Sequence, residues 1–430
     1  PPAGPVAFSS QSGALGLAIL ETANALGLGI SQFVSVGNKA DVSGNDLIEF
    51  WAQDDGTDVI LLYLESFGNP SKFVHLAREV SRAKPIVAVK SGRTVSGARA
   101  ASSHTGALAG SDAAVDALFH QSGVIRTDTI EELFDTALLL AYQPVPKGKR
   151  VAILTNAGGP GIMAADACES AGLELPALST KTTKALRAFL PAEASVRNPV
   201  DMIASARAES FEKALALLVA DENVDAVIVI FVPPLVTGAP DVARAILAGG
   251  KGSKKPILSC FMGSHGIPES LKSLNEGHIP SYSFPEAAAH TLARVAEYGR
   301  WRGAEPGVTP KLKNVNAAAA REVIERFLAA GAGPGSGSGA KAKTETSPGW
   351  LPPDLLLPLL GAYGIRTPQL RPAANRGEAA AAAKQIGFPV AMKIKSPDVV
   401  HKTDVGGVKL NLRSEEDAAK AFDEIRVSLA

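Results

Sequence analysis

The segment Val6-Ala-Phe-Ser-Ser-Gln-Ser-Gly13-Ala-Leu-Gly16 recurs without a gap as Val151-Ala-Ile-Leu-Thr-Asn-Ala-Gly158-Gly-Pro-Gly161. The offset, from 6 to 151, is 145 residues, and it also carries Gly27-Leu28 onto Gly172-Leu173. Each copy reads as a buried strand, a short Ser/Thr/Asn/Gly loop and a helix that ends at a glycine. A strand that feeds straight into a helix belongs to an alternating α/β architecture. The rest of the sequence keeps that rhythm. Val6–Phe8, Val59–Leu64, Ile86–Val89, Val151–Leu154, Ala226–Val232 and Pro256–Cys260 are expected as buried strands. Helical patterns at Leu15–Leu26, Ala113–Gln121, Ile130–Ala141 and Phe211–Ala220 lie between them. Parallel sheets covered by helices on both faces are therefore expected, as two consecutive doubly wound domains.

The breaks in the pattern set the expected organisation. Pro144-Val145-Pro146-Lys147-Gly148 separates the two copies, and residues 331–349 read GAGPGSGSGAKAKTETSPG, the composition of a flexible linker. The expected division is 1–146, 147–303, a linker over 304–349 with a helix near 317–330, and a smaller unit over 350–430. Of the 430 residues 46% are hydrophobic and 20% charged, enough material for several cores. The 43 basic and 43 acidic residues balance, so nothing marks a nucleic-acid or anionic-membrane partner. Two cysteines, Cys168 and Cys260, rule out a disulfide scaffold or a Cys-rich zinc module and favour a reducing cytoplasm. The longest apolar stretch, 226–236, is interrupted by Pro233 and Pro234, too short to span a bilayer. The opening Pro1-Pro2-Ala3-Gly4 has no signal-peptide character, and the sequence stops inside a helical pattern that starts at Glu415. It reads as a piece of a longer protein.

Each copy of the repeat presents unpaired backbone N–H groups and the positive end of a helix dipole just past the carboxyl end of a strand. That is an anion site at the place where α/β sheets bind ligands. The candidate phosphate-binding residues are Ser10, Gln11, Ser12 and Gly13, with Asn156, Ala157, Gly158, Gly159 and Gly161 in the second copy. Two opposed helix ends can clamp one dianion; the plainer alternative is that the glycines serve tight packing alone. Neither copy is a Walker A loop, since no Gly-Lys-Ser/Thr follows.

A second constellation surrounds His104, in the small polar run Ser102–Asp112. Small neighbours let a phosphate or another backbone approach the imidazole closely; an exposed loop histidine is the alternative. Glu65 ends the run Ile60–Glu65 and points to the same rim. There a carboxylate can bond an imidazole N–H and fix its tautomer, or simply bond a nearby helix end. His75, His120 and His290 fall in helical patterns, and His265 and His278 lie in loops without partners at metal-ligand spacing, so no metal site is expected. No G-x-S-x-G elbow occurs.

Together SQSGAL (Ser10–Leu15), SSHTGALAGSD (Ser102–Asp112), TNAGGPG (Thr155–Gly161) and NPVDM (Asn198–Met202) resemble the ADP-forming acyl-CoA synthetases, acetate–CoA ligases related to succinyl-CoA synthetase. The stretch from Pro389 through Lys393 and Ile394, followed by His401-Lys402-Thr403-Asp404-Val405-Gly406-Gly407-Val408, is similar to the start of that family's ATP-grasp domain. The resemblance implies two flavodoxin-like, succinyl-CoA-synthetase-like domains and then the beginning of an ATP-grasp α+β domain. It implies a reaction between acyl-CoA, ADP and phosphate on one side and acid, CoA and ATP on the other, through acyl phosphate and phosphohistidine. In that chemistry His104 takes the phosphoryl group, Glu65 orients it and the two loops hold it. His401 would carry it toward the nucleotide, and Lys393 would contact nucleotide phosphates. The partners implied are a small carboxylic acid, coenzyme A and ATP or ADP, with self-association suggested by the family's two-part sites. The family's N-terminal CoA-binding domain and the acidic Mg²⁺ ligands of its ATP-grasp domain are not found in this sequence, so the chain alone is not expected to turn over. A non-catalytic acyl-CoA or nucleotide sensor, fused to a lysine acetyltransferase domain, is the alternative from another class. A flavin-binding flavodoxin-like protein ranks below it, resting on fold analogy alone.

Overall fold

The computed structural model describes all residues except 38, 40, 95, 98–111, 235–236, 264–266, 309, 311, 332–350, 396–401 and 429–430. The chain forms two compact units, Pro1–Pro306 and Gly307–Ala430. The first holds both copies of the repeat. Its opening sheet contains β1 (Ala3–Ser10), β2 (Ile30–Ser35), β3 (Val59–Leu64), β4 (Ile86–Lys90) and β5 (Ile125–Thr127), all parallel, in the order β2-β1-β3-β4-β5. The helices are α1 (Gly13–Ala25), α2 (Gly44–Gln53), α3 (Pro70–Val80), α4 (Asp112–Ser122) and α5 (Ile130–Tyr142). Period-two alternation assigns the faces. Val6 and Phe8 pack with Ile19 of α1 and Leu133, Phe134 and Leu138 of α5. Ala7, Ile60 and Leu62 point the other way, to Ile48 and Trp51 of α2, Phe73 of α3 and Phe119 of α4. Burying each such Leu, Ile or Phe contributes roughly 1.5–3 kcal/mol.

The second sheet repeats the plan. It contains β6 (Val151–Thr155), β7 (Val200–Asp201), β8 (Ala226–Phe231), β9 (Ile257–Phe261) and β10 (Ser281–Tyr282), again parallel, in the order β10-β9-β8-β6-β7. Counted from its own first strand this is 2-1-3-4-5, the order of the first sheet and of flavodoxin-like folds. The helices are α6 (Gly158–Ser170), α7 (Thr180–Arg187), α8 (Ala208–Ala220), α9 (Ala239–Gly249), α10 (Ile267–Glu276) and α11 (Pro285–Gly303). Two parallel doubly wound sheets were expected, and two are present. Strands β5, β7 and β10 carried no signal in the sequence because they are two or three residues long, and β2, ISQFVS, because it is only partly apolar.

The two sheets interlock. Tyr298 of α11 is a member of the first sheet's core, and its hydroxyl donates to the Ser81 carbonyl (2.7 Å). Trp301 lies where any side chain at Gly123 would stand, with Arg82 stacked on its ring at 4.9 Å. Arg294 pairs with Glu132 (2.5 Å), and the Tyr142 ring stacks on His278 of the second half at 4.7 Å. Within this seam burial, reinforced by Glu131 and Glu132 and opposed by Arg294, pushes the Asp135 carboxyl up to about 7.

The second unit holds α12 (Ala317–Gly331), α13 (Pro353–Ala362), α14 (Arg376–Ile386), β11 (Val390–Lys393), β12 (Val408–Leu412) and α15 (Glu415–Val427). β11 and β12 form an antiparallel pair, and α15 is capped by Ser414, whose hydroxyl accepts from Asp417 N (3.0 Å). Among the described residues no helix is long and apolar enough to cross a membrane.

Candidate functional site

β1 ends at Ser10, and its side chain closes the turn on itself. The hydroxyl donates to Ser12 O (2.8 Å) and accepts from Ser12 N (3.1 Å). Ser12 then caps α1, accepting from Leu15 N at 3.5 Å. Gln11 is 7% exposed and spends its carboxamide on the neighbouring strand exit: Oε1 accepts from Glu65 N (2.8 Å) and Ser66 N (2.9 Å), and Nε2 donates to Ser66 O (2.8 Å). The Ser10 carbonyl accepts from Val36 N beyond β2 (2.9 Å). The loop is thus fixed to both neighbours of β1, at the point where the strand order reverses.

The second copy reproduces the hydroxyl bridge, the carboxamide latch and the strand-end carbonyl bond, but its N-cap, Ala157, has no side-chain bond to the helix. Thr155 Oγ1 donates to Ala157 O and accepts from Ala157 N, both at 3.0 Å. Asn156, 2% exposed, accepts from Val232 N (2.9 Å) and donates to Val232 O (2.8 Å), while the Thr155 carbonyl accepts from Met202 N (2.8 Å). Gly27 and Gly172, the paired helix-ending glycines, have φ of 67° and 79°. The side chains at 11 and 156 are therefore latches, and an anion at either loop is left to the backbone N–H groups of Gly13–Ala14 and Gly158–Gly159. Among the described residues no hydrogen bond joins one loop to the other.

The surroundings of the copies differ. Glu65 lies one residue past the end of β3, half-buried, its backbone held by Gln11. Lys39, at φ 57° in the loop after β2, sends its ammonium to Ser66 O (2.8 Å) and Ser66 Oγ (2.5 Å). Lys90 ends β4 only 8% exposed and donates to the Ser91 carbonyl. Burial holds both lysines below their ordinary pKa, with Glu65 pulling each the other way. Beside the second loop stands an acid instead. A methyl group on Gly158 would sit 3.2 Å from Asp201 Oδ2, and Asp201 Oδ1 accepts from Ile203 N (2.9 Å). Asn198 of the same NPVDM motif binds β6, accepting from Ile153 N (3.0 Å) and donating to Val151 O (2.7 Å). Half of that motif is structural.

His104 and His401 lie outside the described residues. Lys393 is the exposed last residue of β11, paired with Val408. Next to it the 402–407 turn closes through Gly407 N to Lys402 O (2.8 Å), with Gly406 at φ 69°. The sequence reading passed over Lys39 and Lys90. Lys39 gives no local signal; Lys90 gives one, a charge closing the apolar run Ile86–Val89, which is costly unless used. Among the described residues no three His, Cys, Asp or Glu side chains group closely enough to hold a metal ion. Cys168 and Cys260 are free and buried in the second sheet's core, where burial pushes the Cys168 thiol up to about 12 and raises that of Cys260 as well. Burial thus disfavours the thiolate, the nucleophilic form, at both positions.

Three family models match consecutive parts of the chain: a succinyl-CoA-ligase-like flavodoxin domain over residues 3–140, a ligase-CoA domain over 151–306 and an ATP-grasp domain over 342–430. The ADP-forming acetate–CoA ligase I of Archaeoglobus fulgidus is 43% identical over 99% of this chain and 58% of its own length. The ADP-forming 4-hydroxybutyrate–CoA ligase of Nitrosopumilus maritimus is 38% identical over 99% of this chain and 59% of its own length. The chain therefore spans less than two thirds of these relatives. Among solved structures, the dinucleotide-forming acetyl-coenzyme A synthetase 1 of Ca. Korarchaeum cryptofilum, in complex with phosphate and ADP, matches with a TM-score of 0.68 and 37% identity, over 70% of this chain and 66% of that one. The doubled latch and helix end, the order of the three domains and these likenesses converge: the chain belongs to the ADP-forming acyl-CoA synthetase family.

Proposed function

We propose that this chain is the phosphoryl-carrying part of an ADP-forming acid–CoA ligase. The observation that carries the reading is the doubled loop: two strand exits with the same hydroxyl bridge and carboxamide latch, each feeding a helix N-terminus, one of them fixing the backbone of Glu65. Acyl-CoA and phosphate give acyl phosphate and free CoA. An imidazole nitrogen of His104 then attacks phosphorus, the P–N bond forms, and the carboxylate leaves with the electrons of the broken P–O bond. Glu65 accepts the hydrogen bond from the other imidazole nitrogen and balances its growing positive charge. A terminal oxygen of ADP finally takes the phosphoryl group, giving ATP and restoring the histidine. In this reading His401 relays the group to the nucleotide, and Lys393 contacts its phosphates. Each helix end contributes roughly 0.3–1 kcal/mol to holding the anion, up to about 2 when partly buried. That suffices to hold a transient group without trapping it.

Residues 1–146 and 147–303 are in this reading the two ligase domains, 304–349 the linker, and 350–430 the beginning of the ATP-grasp domain. The test is to incubate the chain with radiolabelled acetyl phosphate, and separately with Mg-ATP, and to assay protein-bound phosphate that is acid-labile and base-stable. Label is expected in the parent with acetyl phosphate and none in His104→Ala. Equal label in both, or none in either with the protein folded, overturns the proposal.

A further inference from the structure

The exits of three strands meet at Ser66 in the first sheet, and the end of a fourth, β4, lies within electrostatic reach of Glu65 beside it. Gln11 arrives from β1, Lys39 from beyond β2, Glu65 and Ser66 from β3, and Lys90 from the end of β4. Lys39 and Lys90 both feel Glu65, and Lys39 also feels Lys90. Two ammonium groups thus face one carboxylate. Further out, Asp112 and Arg126 act on Lys90 with opposite signs, and Arg126 is itself paired with Asp112 (2.5 Å) and Asp116 (3.3 Å). Summed over these side chains the recess is neutral, and its positive charge is concentrated at Lys39 and Lys90, nearest Glu65.

An ammonium has three protons to place. Lys39 places two on Ser66, whereas Lys90, almost withdrawn from solvent, places one on Ser91 O and has no ion pair among the described residues. A buried cation is retained at such cost where an anion completes it. Lys84, at the opposite end of the same sheet, makes the contrast. Its ammonium is anchored on Trp51 O (2.8 Å) and Asp54 O (2.7 Å), two backbone acceptors where Lys90 has one.

We propose that Lys90, supported by Lys39, is a phosphoryl-binding residue that receives the terminal oxygens of inorganic phosphate or acyl phosphate at the carboxyl end of β4. The proposal rests on the relay reading above and adds to it a side-chain charge that neither loop supplies. Lys39 has a second effect, since by holding Ser66 it also fixes the turn that carries Glu65.

The experiment is a calorimetric titration of the chain with inorganic phosphate at pH 7 and low salt, with sodium acetate in parallel. Lys90→Met is expected to weaken phosphate binding at least tenfold and Lys39→Met several-fold. Lys90→Arg should stay within about threefold of the parent, and Lys84→Met should match it. Acetate should not saturate where phosphate does. Phosphate affinity unchanged in Lys90→Met overturns the proposal, as does saturable acetate binding lost in that variant, which would make this a carboxylate site. Should Lys90→Met not fold, an unchanged affinity in Lys39→Met overturns it equally. The relay and this site fail separately. Phosphate binding that depends on Lys90, with no label on His104, removes the relay alone; label on His104 with Lys90 variants binding normally removes this site alone.

Discussion

The loop after β1 and the loop after β6 share a backbone and differ in what surrounds it. Both use a hydroxyl to close the turn and a carboxamide to lock the next strand exit. Around the first stand a buried lysine, a half-buried lysine and a glutamate; beside the second helix end stands the carboxylate of Asp201. Duplication thus preserved the geometry that builds a helix-end site, while the side chains that give such a site its charge diverged. In the proposed relay the first copy supplies charged side chains, and the second supplies shape and a helix dipole.

The shared wiring can be broken in both places at once. Gln11→Leu would strip partners from Glu65 N, Ser66 N and Ser66 O, and Asn156→Leu from Val232 N and O. Each unpaired buried group costs about 1–3 kcal/mol, so a loss of roughly 3 kcal/mol is expected for either, seen as a lower urea midpoint at constant slope. Only Gln11→Leu should also weaken phosphate binding, because only its partner turn carries Ser66, the anchor of Lys39. An equal phosphate effect from both variants would erase the asymmetry. Smaller and matched effects are expected at the helix ends: Gly27→Ala and Gly172→Ala force a left-handed φ on a side chain, costing about 1 kcal/mol each by thermal melts. Values differing by more than that amount would mean the copies are less alike in their folded backbones than drawn here. The smallest effect discriminates best. Gly13 has open space, the nearest atom to an added methyl being Ser35 Oγ at 3.9 Å, whereas at Gly158 it would crowd Asp201. Gly13→Ala should be neutral or stabilising by a few tenths of a kcal/mol, and Gly158→Ala destabilising by about 0.5 kcal/mol, on the same melts.

Strand–loop–helix order and the repeat were legible in the sequence because both depend on local pattern: buried apolar runs, cap residues and paired glycines. Glu65 was legible for the same reason, as a charge that closes an apolar strand. Gln11 and Asn156 were read as phosphate contacts, but their side chains are occupied by the strand beside them, and no local signal distinguishes a free carboxamide from a latched one. Lys39 was invisible because its partner lies 27 residues away across a sheet edge. The interlock of the sheets was hidden too. Tyr298 and Trp301 look like ordinary helix residues until the topology turns α11 back onto the first sheet.

That returning helix has a consequence for the order in which the protein can be made. The first sheet's core is closed by Tyr298, which leaves the ribosome long after β5 and α5 have emerged. Until then the slot over Gly123 lacks Trp301 and Glu132 lacks Arg294. A contact between residues 81 and 298 is also among the costlier kinds of loop to close. The nascent chain thus carries an unfinished first half through the synthesis of its second, and the two halves reach their native packing together.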